Sequence, residues 1–318
     1  MRSFIWTIGV LFCTSCVMEV SPAPQVIELG LSEGEELHDI VFHSSGWNLI
    51  GGGIRFDKDV LLELNGQSWT QTSLAASYDK MIFDVEVVTD SSAYFVGMDG
   101  KIWRTTNRGE EWTISGQTDW LPVRAIASQN EMKAVAVGGD GYNNGLIWRT
   151  LDGGENWIRV DTPNIELRDI CFVNETTGFA AGYGSILKTT NGGQSWEFTR
   201  AEGEFFSALF FLDQRRGFAV GRTGSIVKTE DQGETWNRLR NGNLTFFRRQ
   251  FYNDILFLDK EEGFIIGDDG LLLHSTDGGE NWDRMEAPTD EHLWGMDRHP
   301  NGDIYVCGDK GTLFSFTP

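Results

Sequence analysis

Proline, cysteine, histidine and positive charge are all scarce in this chain. Seven prolines among 318 residues are too few for long proline-rich linkers. Lys and Arg number 26 against 47 Asp and Glu, a formal net charge of −21. That field repels nucleic-acid backbones and anionic lipid surfaces, and no basic tract offsets it. Of four cysteines, Cys13 and Cys16 fall in the leader segment, neither Cys171 nor Cys307 lies in a C-x-x-C spacing, and the five histidines stand far apart, which argues against a disulfide framework or a zinc site. Cys171 and Cys307 read as small core residues. The recurring "DGGE" lacks the Lys and helix of a phosphate loop, and "GDDG" at 267–270 reads as a solvated turn rather than a calcium site. No metal and no other cofactor is expected.

What the chain has in quantity is glycine (38), phenylalanine (21) and tryptophan (12), a composition suited to many short strands joined by tight turns. It also repeats itself at a period near forty residues, the signature of a propeller or solenoid. The pattern Ser/Thr-x-Asp/Asn-x-Gly-x-x-Trp occurs five times, at Asn107, Asp152, Asn191, Asp231 and Asp277, closing on Trp112, Trp157, Trp196, Trp236 and Trp282. A shortened form, "LNGQSW", ends at Trp69. In each turn the Asp or Asn can accept backbone N–H bonds, the glycine can take positive φ and the Trp can pack back on the sheet, so these residues are read as structural.

The other half of the unit repeats too, in "DICFVNETTGFAAG", "ALFFLDQRRGFAVG" and "DILFLDKEEGFIIG". The box is the Asp-box of BNR-repeat proteins, and the combination "GFAAGYGSILKTTNGGQSW" resembles the repeats of the Ycf48/Hcf136-like family, known as photosystem II assembly factors. The resemblance runs from about residue 37 to the end. It implies a propeller that binds a protein partner and carries an arginine patch for a photosystem polypeptide.

Inner-strand starts align at Asp39, Asp84, Ala125, Asp169, Ala208, Asp254 and Gly295, which predicts an all-β, seven-bladed β-propeller of four-stranded blades over residues 25–318. The last unit stops after its third strand, so "QVIEL" at 25–29 is expected to complete it and close the ring, removing an open edge.

Upstream, residues 1–15 read as a signal peptide: Arg2, then an apolar run too short to span a bilayer. Thr14 and Ser15 before Cys16 resemble a bacterial lipobox, which implies lipidation of Cys16, a tether over 16–24, export, and an outer-membrane lipoprotein of the cell envelope. Membrane contact is expected only through that anchor.

Spacing separates frame from function. From each inner-strand start to the glycine ending the second strand is the same distance in every unit, whereas length varies between strands two and three ("GIRFDKD", "GDGYNN") and between blades ("LRNGNLTFFRRQFY"). Those loops emerge on one face, and varied loops on a rigid scaffold are where function usually lives. The residues just before the inner-strand starts, His38, Phe83, Arg124, Arg168, Ser207, Asn253 and Trp294, should ring the channel mouth there. Arg248, Arg249 and Tyr252 can approach from the long loop. The cluster could grip an acidic protein or peptide; alternatively the arginines pair with Asp39, Asp84, Asp169 and Asp254 and merely close the channel. Arg124 and Arg168 are the residues the family's arginine patch would map to.

Sialidases also carry Asp-boxes, so a surface glycan-binding protein or sialidase-like glycoside hydrolase is the alternative, with Trp120, Trp294, Phe246 and Phe247 as sugar-stacking candidates. That chemistry would need three arginines, a Tyr–Glu pair and an Asp. "GGGIRFDKD" lacks the arginine segment such enzymes begin with, the blade count is seven rather than six, and Tyr78, Tyr142 and Tyr252 have no Glu close in sequence. No catalytic residue is assigned and the chain is read as non-catalytic.

Overall fold

The segment Leu167–Phe172 pairs antiparallel with Gly178–Gly182, which pairs with Ser185–Thr189 and then Glu197–Phe198. This four-stranded blade recurs seven times, as the repeat predicts. The structure, a computed structural model, describes residues 23–72, 74, 80–141, 144–161, 164–201, 205–240 and 250–318. Blade 7 consists of Leu293–Arg298, Ile304–Gly308 and Leu313–Phe316, with Gln25–Val26 as its outer strand. The closing strand is shorter than the expected 25–29, although Ile27 N–H adds one more bond to the Leu313 carbonyl. Ile27, Leu29 and Leu31 then pack where blade 7 meets blade 1.

Each blade is covered on both faces by its neighbours, which explains why second strands such as "GFAAG" are buried at every position and show no polar alternation. The core is accordingly seven apolar clusters, one between each pair of successive blades. Fully burying a Leu or Phe in such a cluster stabilises the fold by roughly 1.5–3 kcal/mol.

The Asp-box turns are built as their residue types require. In blade 3 the Thr150 hydroxyl donates to Asp152 Oδ1 and accepts from Gly154 N–H, while Asp152 accepts from Asn156 N–H at 2.9 Å. Gly154 sits at φ +92°, a region few other residues enter. Trp112, Trp196 and Trp236 are buried, and Trp157 reaches blade 2 by donating to Ser115 Oγ.

One feature of the inner strands positions the residues around the channel mouth. Each carries a β-bulge near its start, and the extra residue is His38, Phe83, Arg124, Arg168, Ser207, Asn253 or Trp294. These residues therefore lie inside the strands rather than just before them, displaced by the bulge toward the axis. The fixed-distance glycines have a steric cause. A Cβ at Gly52, Gly138, Gly182, Gly221, Gly267 or Gly308 would stand 1.9–2.6 Å from the carbonyl two residues before the bulge residue.

The residue after the bulge has a separate duty. Inner strands expose one row of backbone N–H groups to the channel, and buried carboxylates of the preceding blade accept them. Asp39 accepts from Val85, Asp84 from Ile126, Asp169 from Leu209 and Asp254 from Met296, and in blade 7, where Gly295 follows the bulge, Asp297 accepts from Phe42 instead, at 2.6–2.9 Å, so that among the described residues five of the seven seams are joined in this way. Asp39, Asp84, Asp169 and Asp254 thus join blades instead of pairing with the mouth arginines. Burial pushes Asp169 up to about 7 and Asp297 up to about 6, and raises Asp39, Asp84 and Asp254 as well; for Asp84 the neighbouring Asp39 charge adds to the rise.

Candidate functional site

The bulge residues converge on a cavity of about 370 Å³ at one mouth of the channel, which all seven line. It lies on the variable-loop face, because Arg55, from the turn between strands two and three of blade 1, and Arg222, from the equivalent turn of blade 5, line it too.

The seven do not play equal parts. The Ser207 hydroxyl donates to the Tyr252 carbonyl, and Asn253 Nδ2 donates to the Leu293 carbonyl and to Asp268. Both serve the frame. Trp294 donates its indole N–H to Asp309 and stacks on His38 at 5.1 Å, and His38 hydrogen-bonds Glu36 and meets the edge of Phe83.

From Phe83 the lining continues as an arc of guanidinium groups against aromatic faces. Arg124 lies 4.5 Å over Phe83, Arg168 5.0 Å and Arg222 5.7 Å over Phe205. Such stacking holds a guanidinium by its face and leaves its edge free to donate, with each contact worth about 2 kcal/mol where water is excluded.

Between the two bulge arginines stands Glu166, itself buried. Its Oε1 is 2.7 Å from Arg168 and 3.5 Å from Arg124, and its Oε2 accepts from Gly141 N–H at 2.9 Å. These are ion pairs without alignment: Arg124 Nε, Arg168 Nε and Glu166 Oε1 are buried with no hydrogen bond. Four guanidinium groups line the mouth with one carboxylate, Glu36, while Glu166 is buried against Arg124 and Arg168. Burial and the other three arginines lower Arg168 to about 9, and burial lowers Arg124 as well. A buried guanidinium with an idle Nε–H is suited to a carboxylate, which takes Nε and an Nη side by side.

Other expected contacts fall elsewhere. Tyr252 is fully buried in the core between blades 5 and 6, with its hydroxyl on Gln250, and belongs to the frame. Trp294 is largely covered by His38 and Asp309, whereas Trp120 is 72% exposed. Arg248, Arg249, Phe246, Phe247, Tyr78, Tyr142 and Cys16 lie outside the described residues.

Sequence reasoning missed Arg55, Arg222, Glu166 and Phe205. A positional signal exists for three of them. Glu166 and Phe205 each stand two residues before a bulge residue, and Arg222 directly follows a fixed-distance glycine. Those two positions form further circles around the mouth.

Residues 200–299 match the family described as photosynthesis system II assembly factor YCF48. No curated protein matches the chain in sequence. Among solved structures, YCF48 bound to D1 peptide superposes with a TM-score of 0.72 at 20% identity, covering 93% of this chain and 97% of that one. YCF48 from Cyanidioschyzon merolae gives 0.71 at 17%, covering 92% and 99%, and the WD40 β-propeller domain of Doa1 gives 0.69 at 16%, covering 94% and 97%. The chain is a seven-bladed β-propeller of Asp-box repeats, similar over residues 200–299 to the YCF48 family and in fold to the solved YCF48 structures.

Proposed function

We propose that this propeller is a non-catalytic binding module that takes an acidic protein or peptide segment at the arginine mouth of its variable-loop face. The observation that carries the reading is the pair of buried Nε–H groups on Arg124 and Arg168 that make no hydrogen bond, although Arg124 Nε stands 3.5 Å from the single carboxylate between them. Unpaired buried donors cost roughly 1–3 kcal/mol each, and an incoming carboxylate would satisfy them. The similar YCF48 structure with a bound D1 peptide supports a peptide as ligand. Among the described residues the mouth lining includes no tyrosine, so the Tyr–Glu pair of a sialidase-type reaction has no support there.

The lipobox-like Thr14-Ser15-Cys16 supports an exported protein tethered to a bacterial envelope membrane through lipid on Cys16. An anchor of that kind would present the module to partners at the membrane without requiring the chain itself to bind lipid headgroups.

The test compares capture from solubilised membranes by the wild type and by Arg124→Glu/Arg168→Glu. Loss of a specific captured protein in the double variant supports the reading, and identical capture removes it.

A further inference from the structure

Three aromatic side chains stand exposed on the face that holds the mouth. Trp120 is 72% exposed, Phe56 62% and Phe251 37%. Single exposed aromatics are ordinary on protein surfaces; what sets these apart is their placement. Phe56 directly follows the mouth residue Arg55, whose guanidinium lies 5.2 Å over its ring. Phe251 has Arg222 at 6.0 Å. Trp120 precedes Arg124 by four residues, a chain length that spans at most about 14 Å.

Trp120 is also held in an unfavourable backbone state. Its φ is +65°, a region that costs a bulky side chain on the order of 1–2 kcal/mol. Local bonds enforce it: Thr118 N–H donates to the Gly100 carbonyl, Trp120 N–H to the Thr118 carbonyl, and the Thr118 hydroxyl to the Leu121 carbonyl, all at 2.8 Å. The loop lies so close to Gly100 that a Cβ there would come within 2.3 Å of Thr118 Oγ1 and 2.7 Å of the Leu121 carbonyl. The result is a fixed backbone that presents an indole to solvent. A Trp on a fixed backbone beside buried arginines is the composition of an interface hot spot, and its ordering entropy has been lost before any partner arrives.

We infer that the partner segment carries an acidic group flanked by apolar side chains, with the acid entering the arginine mouth and the apolar residues covering Trp120 and Phe56. Charge complementarity selects an acidic occupant, because the mouth holds a surplus of guanidinium within a protein of net charge −21 and only a ligand whose acid reaches the mouth itself meets attraction; the similar structure with a bound peptide favours a peptide as its carrier. The inference rests on the mouth reading above and adds the apolar half of the specificity.

The experiment selects random displayed dodecapeptides on the immobilised full chain, then on Trp120→Ala/Phe56→Ala and on Arg124→Gln/Arg168→Gln. Wild type should enrich sequences with Asp, Glu or a free carboxyl terminus within a few residues of Phe, Trp, Leu or Ile. The aromatic double variant should keep the acidic preference, lose the apolar one, and bind a selected peptide at least tenfold more weakly, with an unchanged melting curve confirming its fold. Acidic peptides without apolar bias, or equal affinity in the aromatic variant, overturn this inference and leave the mouth reading intact. No acidic enrichment at all overturns both, and a glycan-array signal lost only in the aromatic double variant, without peptide enrichment, replaces the peptide with a sugar.

Discussion

Arg168 lies 2.7 Å from Glu166 Oε1, and Arg124 approaches the same oxygen from the neighbouring blade at 3.5 Å. Glu166 stands where a partner's carboxylate would stand, and its other oxygen secures Gly141 in the loop between strands two and three of blade 3. On the proposed reading, Glu166 is an internal competitor for an acidic ligand.

Glu166→Gln should therefore tighten binding of an acidic peptide, by about tenfold at low salt, equivalent to about 1.4 kcal/mol, and steepen its salt dependence. It should also lower stability by on the order of 1–3 kcal/mol, because two arginines lose their counter-charge. Anisotropy titrations and thermal melts read the two effects. Weaker binding in this variant would show that Glu166 only positions the arginines.

The blade-joining aspartates set a pH dependence of stability. Their carboxyls are raised in the folded chain, Asp169 to about 7 and Asp297 to about 6, so between pH 4 and those values the folded state binds more protons than the unfolded one. The stabilisation is complete near pH 4 and is lost as pH rises through about 6 and 7. Each extra bound proton contributes a slope of about 1.4 kcal/mol per pH unit. Guanidinium unfolding midpoints should fall from pH 5 to pH 8, and Asp169→Asn should flatten the trend. Midpoints that rise over this range would contradict the assignment.

The Asp-box turns belong to the frame, so disturbing one should cost stability and spare binding. A Cβ at Gly154 would stand 2.5 Å from Ser115 Oγ and 3.0 Å from the Tyr94 hydroxyl, at φ +92°. Gly154→Ala should lose more than about 1 kcal/mol in denaturant unfolding while peptide affinity below the melting transition stays within twofold.

Cys16→Ser should move the protein from the membrane fraction to the soluble envelope fraction on cell fractionation. Persistent membrane association of that variant would remove the lipid anchor.

Much of this architecture is legible in the residues because each element answers to local chemistry. A glycine is needed where the Asp-box turn takes positive φ and where a Cβ would come within about 2 Å of a neighbouring carbonyl, so its spacing discloses the turn and the bulge together. The mouth arginines were legible through the same register. Tyr252 was not: its place beside the long loop in sequence says nothing of its side chain, which the bulge at Asn253 leaves facing the core. Asp39, Asp84, Asp169 and Asp254 sit beside the bulge residues in sequence, yet their acceptor role depends on the adjacent blade's exposed N–H row.

The repeating pattern alone settled the blade number, the closure by the N-terminal strand and the face on which length is allowed to vary, since turns and strand periods are short-range properties. The partnerships across blades were decided only by closing the ring. Glu166 beside Arg124, Arg168 over Phe205, and Asp297 on Phe42 join residues separated by roughly one blade or nearly the whole chain. Such contacts depend on the angle at which each blade meets the next, and that angle is set by the packing of the apolar clusters between them rather than by any local run of residues.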